Sequence, residues 1–272
     1  MKRSTTWVYP STRQASGLTL IELLVAITVG LVMIAAALTS ILVARSLSST
    51  TTEVGQLQQK AAYVFRLMGQ QIRQAGSRDL QSAATPIEKA LFIENTLPPT
   101  QRALQGKAAP TSEEFALSIA FYNTSQKAFP LRNGLPQEVP LHRNCLGEAI
   151  DNAHSGILAS HFRRQGNDLV CAGSGDAYPI IDGVSDFLVQ YMLQDSAPSN
   201  TQNFAFGDAS LVASPEDWNK VYAVKVCLEL LGKERMDTVG ATYIRCDGSE
   251  ADRGDKLRVV FHNTFHLHNK AW

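Results

Sequence analysis

The sequence lacks charge and proline over a long stretch near its N-terminus. No Asp, Glu, Lys or Arg occurs from Leu23 to Val43, and no proline occurs from Leu18 to Thr85. A run of this length is enough to cross a membrane, which takes ~20 residues, and without proline nothing interrupts a helix. The absence of charge excludes an ordinary amphipathic surface helix for this run and predicts a membrane-spanning one.

Other absences in the sequence exclude whole classes of function. The charges of the 25 basic and 25 acidic residues cancel. The sequence contains no basic stripe with interleaved aromatic residues, so no nucleic-acid partner is predicted. The stretch Gly173 to Asp176 lacks the strand-turn-helix context of a nucleophile elbow. We therefore predict neither a catalytic site nor a cofactor.

Acidic residues are also absent from residues 1–17, which contain three basic residues. The positive-inside rule then places the N-terminus in the cytoplasm and everything after Val43 outside. An ordinary secretory signal would be cleaved after the apolar run, where Val43-Ala44-Arg45 offers a poor site. Gly17 lies before the run, and cleavage there would leave the whole membrane helix on the mature protein.

Glu22 is a lone carboxylate at the start of the apolar run. A charged side chain at the centre of a membrane helix costs roughly 2.5–3.5 kcal/mol, less near an end, so one that stays there usually has a partner. Cleavage after Gly17 would free an ammonium at Leu18, which a carboxylate on a neighbouring subunit can neutralise in a hydrogen-bonded pair. The alternative is a helix-start acid that complements the macrodipole and needs no partner.

The segment from Gly17 to Ala26, GLTLIELLVA, resembles the prepilin signature of type IV pilins and type II secretion pseudopilins. In those proteins a dedicated prepilin peptidase cuts after the glycine and methylates the new N-terminus. The resemblance implies cleavage after Gly17, methylation of Leu18 and an assembly role for Glu22. Leu18 departs from the phenylalanine that is usual in the family, which bears on methylation efficiency.

Beyond the membrane the helix is expected to continue. Apolar residues recur at spacings of three and four from Val54 to Ile72, with polar residues elsewhere, and this predicts an amphipathic helix. Gly76 predicts its end. The apolar stripe is expected to seat a globular domain, with an exposed partner surface at Val54 to Val64 as the alternative.

The rest of the chain predicts a head domain with an antiparallel sheet. Residues 81–112 mix prolines with polar residues and predict an irregular loop. Alternating apolar residues predict strands near 115–121, 187–193, 222–230 and 259–267, and a hairpin over 156–170. The fold class is therefore α+β. The resemblance makes it type IV pilin-like, a long N-terminal helix, transmembrane in its first half, packed on an antiparallel sheet.

These features divide the chain into four expected segments. Residues 1–17 form the prepilin leader peptide, and residues 18–44 the transmembrane half of the helix. Residues 45–78 form the periplasmic amphipathic half of the helix, and residues 79–272 the globular α+β head.

The four cysteines all lie in the part predicted to be outside the cytoplasm; they are Cys145, Cys171, Cys227 and Cys246. An even number in an oxidising compartment predicts two disulfides, for which three connectivities exist. We expect Cys145 to pair with Cys171 and Cys227 with Cys246, because each pair flanks a candidate hairpin. Zinc is the alternative, which the wide spacing and the lack of a C-x-x-C pair disfavour.

Three further segments add a second resemblance. The helix end from Met68 to Gly76, MGQQIRQAG, resembles that of PilW-type minor pilins, and the segments Val221–Leu231 and Leu257–Phe261 are similar to the late strands of that family. The resemblance implies a non-enzymatic subunit that initiates type IV pilus assembly through its N-terminal helix and stays at or near the pilus tip.

The same resemblance implies partners and a location. The expected partners are other minor pilins, the major pilin, the prepilin peptidase and the inner-membrane assembly platform, with a tip adhesin as a further possibility. The protein would be a single-pass inner-membrane protein with a cytoplasmic N-terminus and a periplasmic head before it enters the pilus.

Two alternatives remain at this point. A J-like pseudopilin of a type II secretion system shares every N-terminal feature. A membrane-anchored periplasmic metal-binding protein is the more distant alternative, in which His266 and His268, on one side of the last predicted strand, would hold the metal.

Overall fold

The structure is a computed structural model that describes residues 17, 19–77, 102–123, 125–128, 137–149, 157–173, 175–195, 203–235 and 240–267. Predictions for the leader, for Leu18, for His268 and for most of the loop at 81–112 lie outside these residues. The chain forms two compact units, residues 1–52 and 53–272.

A single helix, α1, runs from Leu20 to Gln74 and confirms the predicted long N-terminal helix. Its first part is long and apolar enough to cross a membrane. The hydroxyls of Thr28, Thr39 and Ser40 donate to backbone carbonyls one turn earlier, each at 2.9 Å. Internal bonding of this kind lets hydroxyl groups lie in a hydrocarbon environment.

The helix ends where the sequence predicts. Gly76 adopts a left-handed conformation with φ of 69°, which costs little without a β-carbon. Its N–H donates to the Ala120 carbonyl at 2.9 Å and so ties the helix end to the sheet.

Thirteen strands lie in the described residues, and the predicted strands and the predicted hairpin are all among them. Their bounds are β1 Leu104–Gly106, β2 Leu117–Tyr122, β3 Ser125–Ala128, β4 Gln137–Pro140, β5 Ile157–Gln165, β6 Asp168–Ala172, β7 Ala177–Asp182, β8 Val184–Asp195, β9 Asn203–Gly207, β10 Val221–Arg235, β11 Thr242–Ile244, β12 Glu250–Asp252 and β13 Lys256–His266. Short 3-10 turns at Ala209–Leu211 and Pro215–Lys220 connect β9 to β10.

The strands form two main antiparallel sheets. One has the order β1-β2-β5-β6-β7, and the other has the order β13-β10-β8-β9. The pairs β3-β4 and β11-β12 make two small additional ribbons. Together with α1 they confirm the α+β class and the packing of a helix on antiparallel sheet.

The core of the head lies between these sheets and the second part of α1. The predicted helix stripe is buried, with Leu57, Val64, Met68 and Ile72 at most 3% exposed. Both sheets contribute to the same cluster, through side chains such as those of β5 and β10. The stripe therefore seats the head, and the alternative of an exposed partner surface is not supported.

A buried tyrosine joins the two sheets. The hydroxyl of Tyr191 on β8 donates to the carbonyl of Ala116, just before β2, at 2.8 Å, and its ring meets Trp218 edge-on at 4.9 Å. Complete burial raises the pKa of Tyr191 far above its usual value, because the anion would lose its hydration.

One prediction needs a correction. The irregular loop predicted for residues 81–112 contains a strand in its described part, because β1 pairs with β2 and buries Leu104. Three residues are too few to show an alternating pattern in the sequence. Gly106 leaves room for the Tyr191 side chain, because a β-carbon at this position would lie 1.8 Å from the Tyr191 hydroxyl oxygen.

Candidate functional site

The site predicted for processing and assembly lies at the start of α1. Gly17 is exposed, and Leu18 lies outside the described residues. Glu22 is the acidic residue of the first helical turn, where the partial positive charge of the backbone N–H groups favours a carboxylate.

Glu22 and Thr19 close a reciprocal capping box. The Thr19 N–H and hydroxyl both donate to Glu22 Oε2, at 3.1 and 3.0 Å, and the Glu22 N–H donates to the Thr19 hydroxyl oxygen at 3.3 Å. These bonds satisfy backbone groups that a helix start leaves without partners. They fix the carboxylate at the helix start, and within the described chain Oε1 keeps its acceptor sites for another donor.

The helix that follows presents an apolar surface on all sides. Its large apolar residues from Leu20 to Val43 are 49 to 81% exposed, and no residue described in the structure covers them. Gly30 and the run Ala35 to Ala37 are small residues that permit close approach of another helix in a bilayer. The first unit therefore combines a fixed carboxylate with a surface suited to lipid and to other helices.

Both disulfides lie in the head, with the expected pairing. Cys145 is bonded to Cys171 on β6, and Cys227 on β10 is bonded to Cys246. The first bond links the segment before β5 to the five-stranded sheet. The second ties the ribbon β11-β12 to the outer side of the four-stranded sheet.

Two family models match parts of the chain. Residues 12–44 match the family model of the prokaryotic N-terminal methylation motif, and residues 149–269 match that of type IV pilus-assembly protein W, PilW. The chain is therefore PilW-like over these residues of its head. A type IV-like pilin from Thermus thermophilus is a similar solved structure, with 12% identity and a TM-score of 0.41 over 79% of this chain and 97% of that chain. Among curated proteins, none matches the sequence.

The head of this PilW-like chain contains a buried ionic cluster that the sequence analysis missed. Glu229 of β10 is 1% exposed, and its Oε1 accepts hydrogen bonds from Ser185 at 2.7 Å, Tyr243 at 2.8 Å and Arg258 at 3.1 Å. The Arg258 guanidinium also lies over the Tyr243 ring. Burial and the neighbouring carboxylate raise the pKa of Tyr243, because both disfavour a second negative charge.

In the alternation of β10, Glu229 lies on the face opposite the core residues Leu228 and Leu230, and yet it is buried. The ribbon β11-β12 covers that position, and Cys246 and Tyr243 hold the ribbon to the sheet. A strand's alternation cannot show a cover that comes from a later segment. The sequence around Glu229 therefore gives no signal that this acid is buried.

The two histidines proposed for a metal site, His266 and His268, are not both among the described residues, so the structure does not test this pair. His262 and His266 lie on β13, and His268 lies outside the described part. His262 Nε2 is 4.0 Å from Cys227 Sγ, which is already in a disulfide. No group of three potential metal ligands occurs among the residues that the structure describes.

Thr19, the hydrogen-bond partner of Glu22, could have been identified from the sequence. Its spacing from Glu22 is the T-x-x-E pattern of a capping box, directly before an apolar run. The pattern predicts the hydrogen bonds that the structure contains. It also makes Thr19 a positioning residue for the carboxylate.

Proposed function

We propose that this PilW-like protein is a minor pilin that initiates assembly of a type IV pilus and stays at or near its tip. One observation carries the proposal: an exposed apolar helix begins with a fixed carboxylate five residues after a glycine in a prepilin motif. A carboxylate in this setting gains most from a cation supplied by another chain.

In the proposed mechanism, the prepilin peptidase removes residues 1–17 and leaves an ammonium, methylated by the same enzyme, at Leu18. The carboxylate of Glu22 on an adjacent subunit pairs with that ammonium through Oε1, while Thr19 continues to hold Oε2. The pairing sets the axial register of neighbouring helices, and the small residues allow them to pack closely. The role is structural, and no catalytic step is proposed.

The proposed topology follows from the charges around the helix. Residues 1–17 carry only basic charge, which favours a cytoplasmic N-terminus and a periplasmic head. Two disulfides in the head suit an oxidising compartment. The four segments, 1–17, 18–44, 45–78 and 79–272, remain predictions within this proposal, as do the minor pilins, the major pilin and the assembly platform as partners.

A deletion strain tests the proposal. Surface pili are sheared and compared with the total cellular major pilin, with the restored gene as a control. We expect surface pili to fall steeply while the cellular pilin pool stays intact, because initiation and not pilin synthesis is lost. Unchanged pili together with lost enzyme secretion would overturn the proposal in favour of a pseudopilin.

A further inference from the structure

A buried acid marks the first residue of the head unit. Glu53 lies on α1 and is only 7% exposed, in line with the apolar residue Leu57 one turn later. Its Oε1 accepts hydrogen bonds from the backbone N–H groups of Lys233 and Glu234, the second at 2.9 Å. This carboxylate therefore joins the helix to the end of β10.

The end of β10 is shaped around this carboxylate. The register of β10 against β13 shifts between Leu231 and Arg235, so two successive N–H groups leave the ladder and point at Glu53. At Gly232 a β-carbon would lie 2.6 Å from the carboxyl carbon of Glu53. Only glycine leaves room for the acid at this position.

The carboxylate is held through only one of its two oxygens. Oε2 of Glu53 is buried and has no hydrogen-bond partner among the described residues. A buried oxygen without a hydrogen-bond partner has lost its hydration without compensation. It would be hydrated again if the contact between Glu53 and β10 opened. The hydrogen bonds to Oε1 therefore hold the attachment closed, whereas the buried Oε2 favours its opening.

The helix is at its weakest where this attachment lies. The stretch Ser48–Thr52 consists of serine and threonine only, and Gly55 follows shortly after it. These residue types are poor helix formers. The hydroxyls of Thr51 and Thr52 donate to the Ser48 carbonyl at 3.0 and 2.8 Å, a bond that slightly destabilises helices.

Burial along α1 agrees with a local attachment. Between Glu53 and Leu57, Val54 is half-buried and Gln56 is exposed, and a β-carbon at Gly55 would meet no atom within 4 Å. From Leu57 onward the helix is held by its fully buried stripe. Before Leu57, the helix of the head is therefore held by the Glu53 carboxylate together with Val54, which packs against the core.

We infer that Glu53 is a latch that closes the helical segment Glu53–Gln56, directly after the weak serine and threonine stretch, onto β10 and opens independently of the rest of the head. With the latch closed, this segment is helical and the bulge at Gly232–Glu234 is ordered. With the latch open, this segment frays and the two N–H groups exchange with solvent, while the packed helix from Leu57 to Ile72 stays in place. Proteins open locally in this way where few apolar contacts hold a segment.

Hydrogen exchange of the full chain in detergent tests the latch. In the wild type, amides of residues 53–56 should exchange at least tenfold faster than those of 57–72. Glu53→Ala should speed exchange at Lys233 and Glu234 at least tenfold and leave Val226 and Leu228, in the middle of β10, unchanged. Gln56→Ala, an exposed change on the same helical segment, should alter none of these rates by more than twofold.

Two further variants separate a latch from a general loss of stability. Gly232→Ala should reproduce the faster exchange at Lys233 and Glu234 from the strand side, because its β-carbon displaces the carboxylate. Glu53→Gln should have a smaller effect than Glu53→Ala, because its amide oxygen can still accept the two bonds. Unchanged exchange at Lys233 and Glu234 in Glu53→Ala would overturn the inference, as would an equal rise in exchange throughout the head.

Discussion

Gly69 on α1 and Phe265 on β13 lie so close that a β-carbon at position 69 would come within 2.8 Å of the phenyl ring. Phe265 is 9% exposed and also packs beside Phe65 of the same helix. At Gly69 the helix approaches the four-stranded sheet with no side chain in between. Glycine at this position serves packing, at the expense of helix propensity.

Gly69→Ala should therefore destabilise the head. Alanine improves helix propensity by up to ~1 kcal/mol, but an added carbon in a packed core costs about 1–3 kcal/mol, so we expect a net loss of about 1 kcal/mol. Gly55→Ala is the matched control, since its β-carbon meets nothing, and it should stabilise by roughly 0.5–1 kcal/mol. Chemical unfolding of the full chain in detergent, followed by tryptophan fluorescence, measures both. Equal stabilisation by the two changes would show that Phe265 yields without cost.

The Glu229 cluster supports a second stability prediction. Tyr243→Phe removes one of three donors to Oε1 and should cost about 1 kcal/mol. Arg258→Met removes the cation and leaves a buried charge, which should cost roughly 3 kcal/mol. Both losses are measured by urea unfolding.

A double variant checks the physical reason for that loss. In the Arg258→Met background, Glu229→Gln removes the uncompensated charge and should recover at least half of the lost stability. If the double variant is no more stable than Arg258→Met alone, packing of the arginine stem, and not the buried charge, explains the loss.

The third prediction concerns pH. Burial lowers the pKa of His161, which bonds Ser118 at 2.8 Å and packs against Phe115. Because the unfolded imidazole has a pKa of ~6.5, the unfolded state binds more protons below that pH. The free energy of unfolding therefore falls as the pH falls through that value toward the folded pKa. His142 and His262 have lowered pKa values as well and act in the same direction.

His161→Gln should therefore reduce the loss of stability between pH 7.5 and pH 5 without abolishing it. Urea midpoints at the two pH values give the comparison. Asp182 does not interfere: Lys60 and Lys233 lower its pKa to about 2, so its contribution is lost only as pH falls from about 4 to about 2. An unchanged loss in the variant would remove His161 as a cause.

The sequence predicted the elements whose periodicity is long or strongly alternating. The helix from Leu20 to Gln74, its stop at Gly76 and the late strands β8, β10 and β13 all have patterns of their own. The signal is local in each case, because burial on one face repeats along the chain.

Contacts between distant segments could not be predicted in this way. Glu53 meets β10 across 180 residues, and Glu229 lies beneath a ribbon that follows it in the chain. A single sequence shows an acid at each position, and nothing in its neighbours tells a buried acid from a solvated one. The site at Glu22 is the exception, because its partner Thr19 is three residues away and follows a known spacing.

The role of Glu22 is the central claim, and it can be tested directly. A deletion strain receives the wild-type gene, Glu22→Ala or the exposed-acid control Glu250→Ala, and the protein is quantified in membranes and in sheared pili. The account predicts equal membrane levels for all three, with Glu22→Ala at least tenfold depleted from the pilus fraction because the neighbour's ammonium has no counter-ion. Recovery of Glu22→Ala in pili at the wild-type level would contradict it.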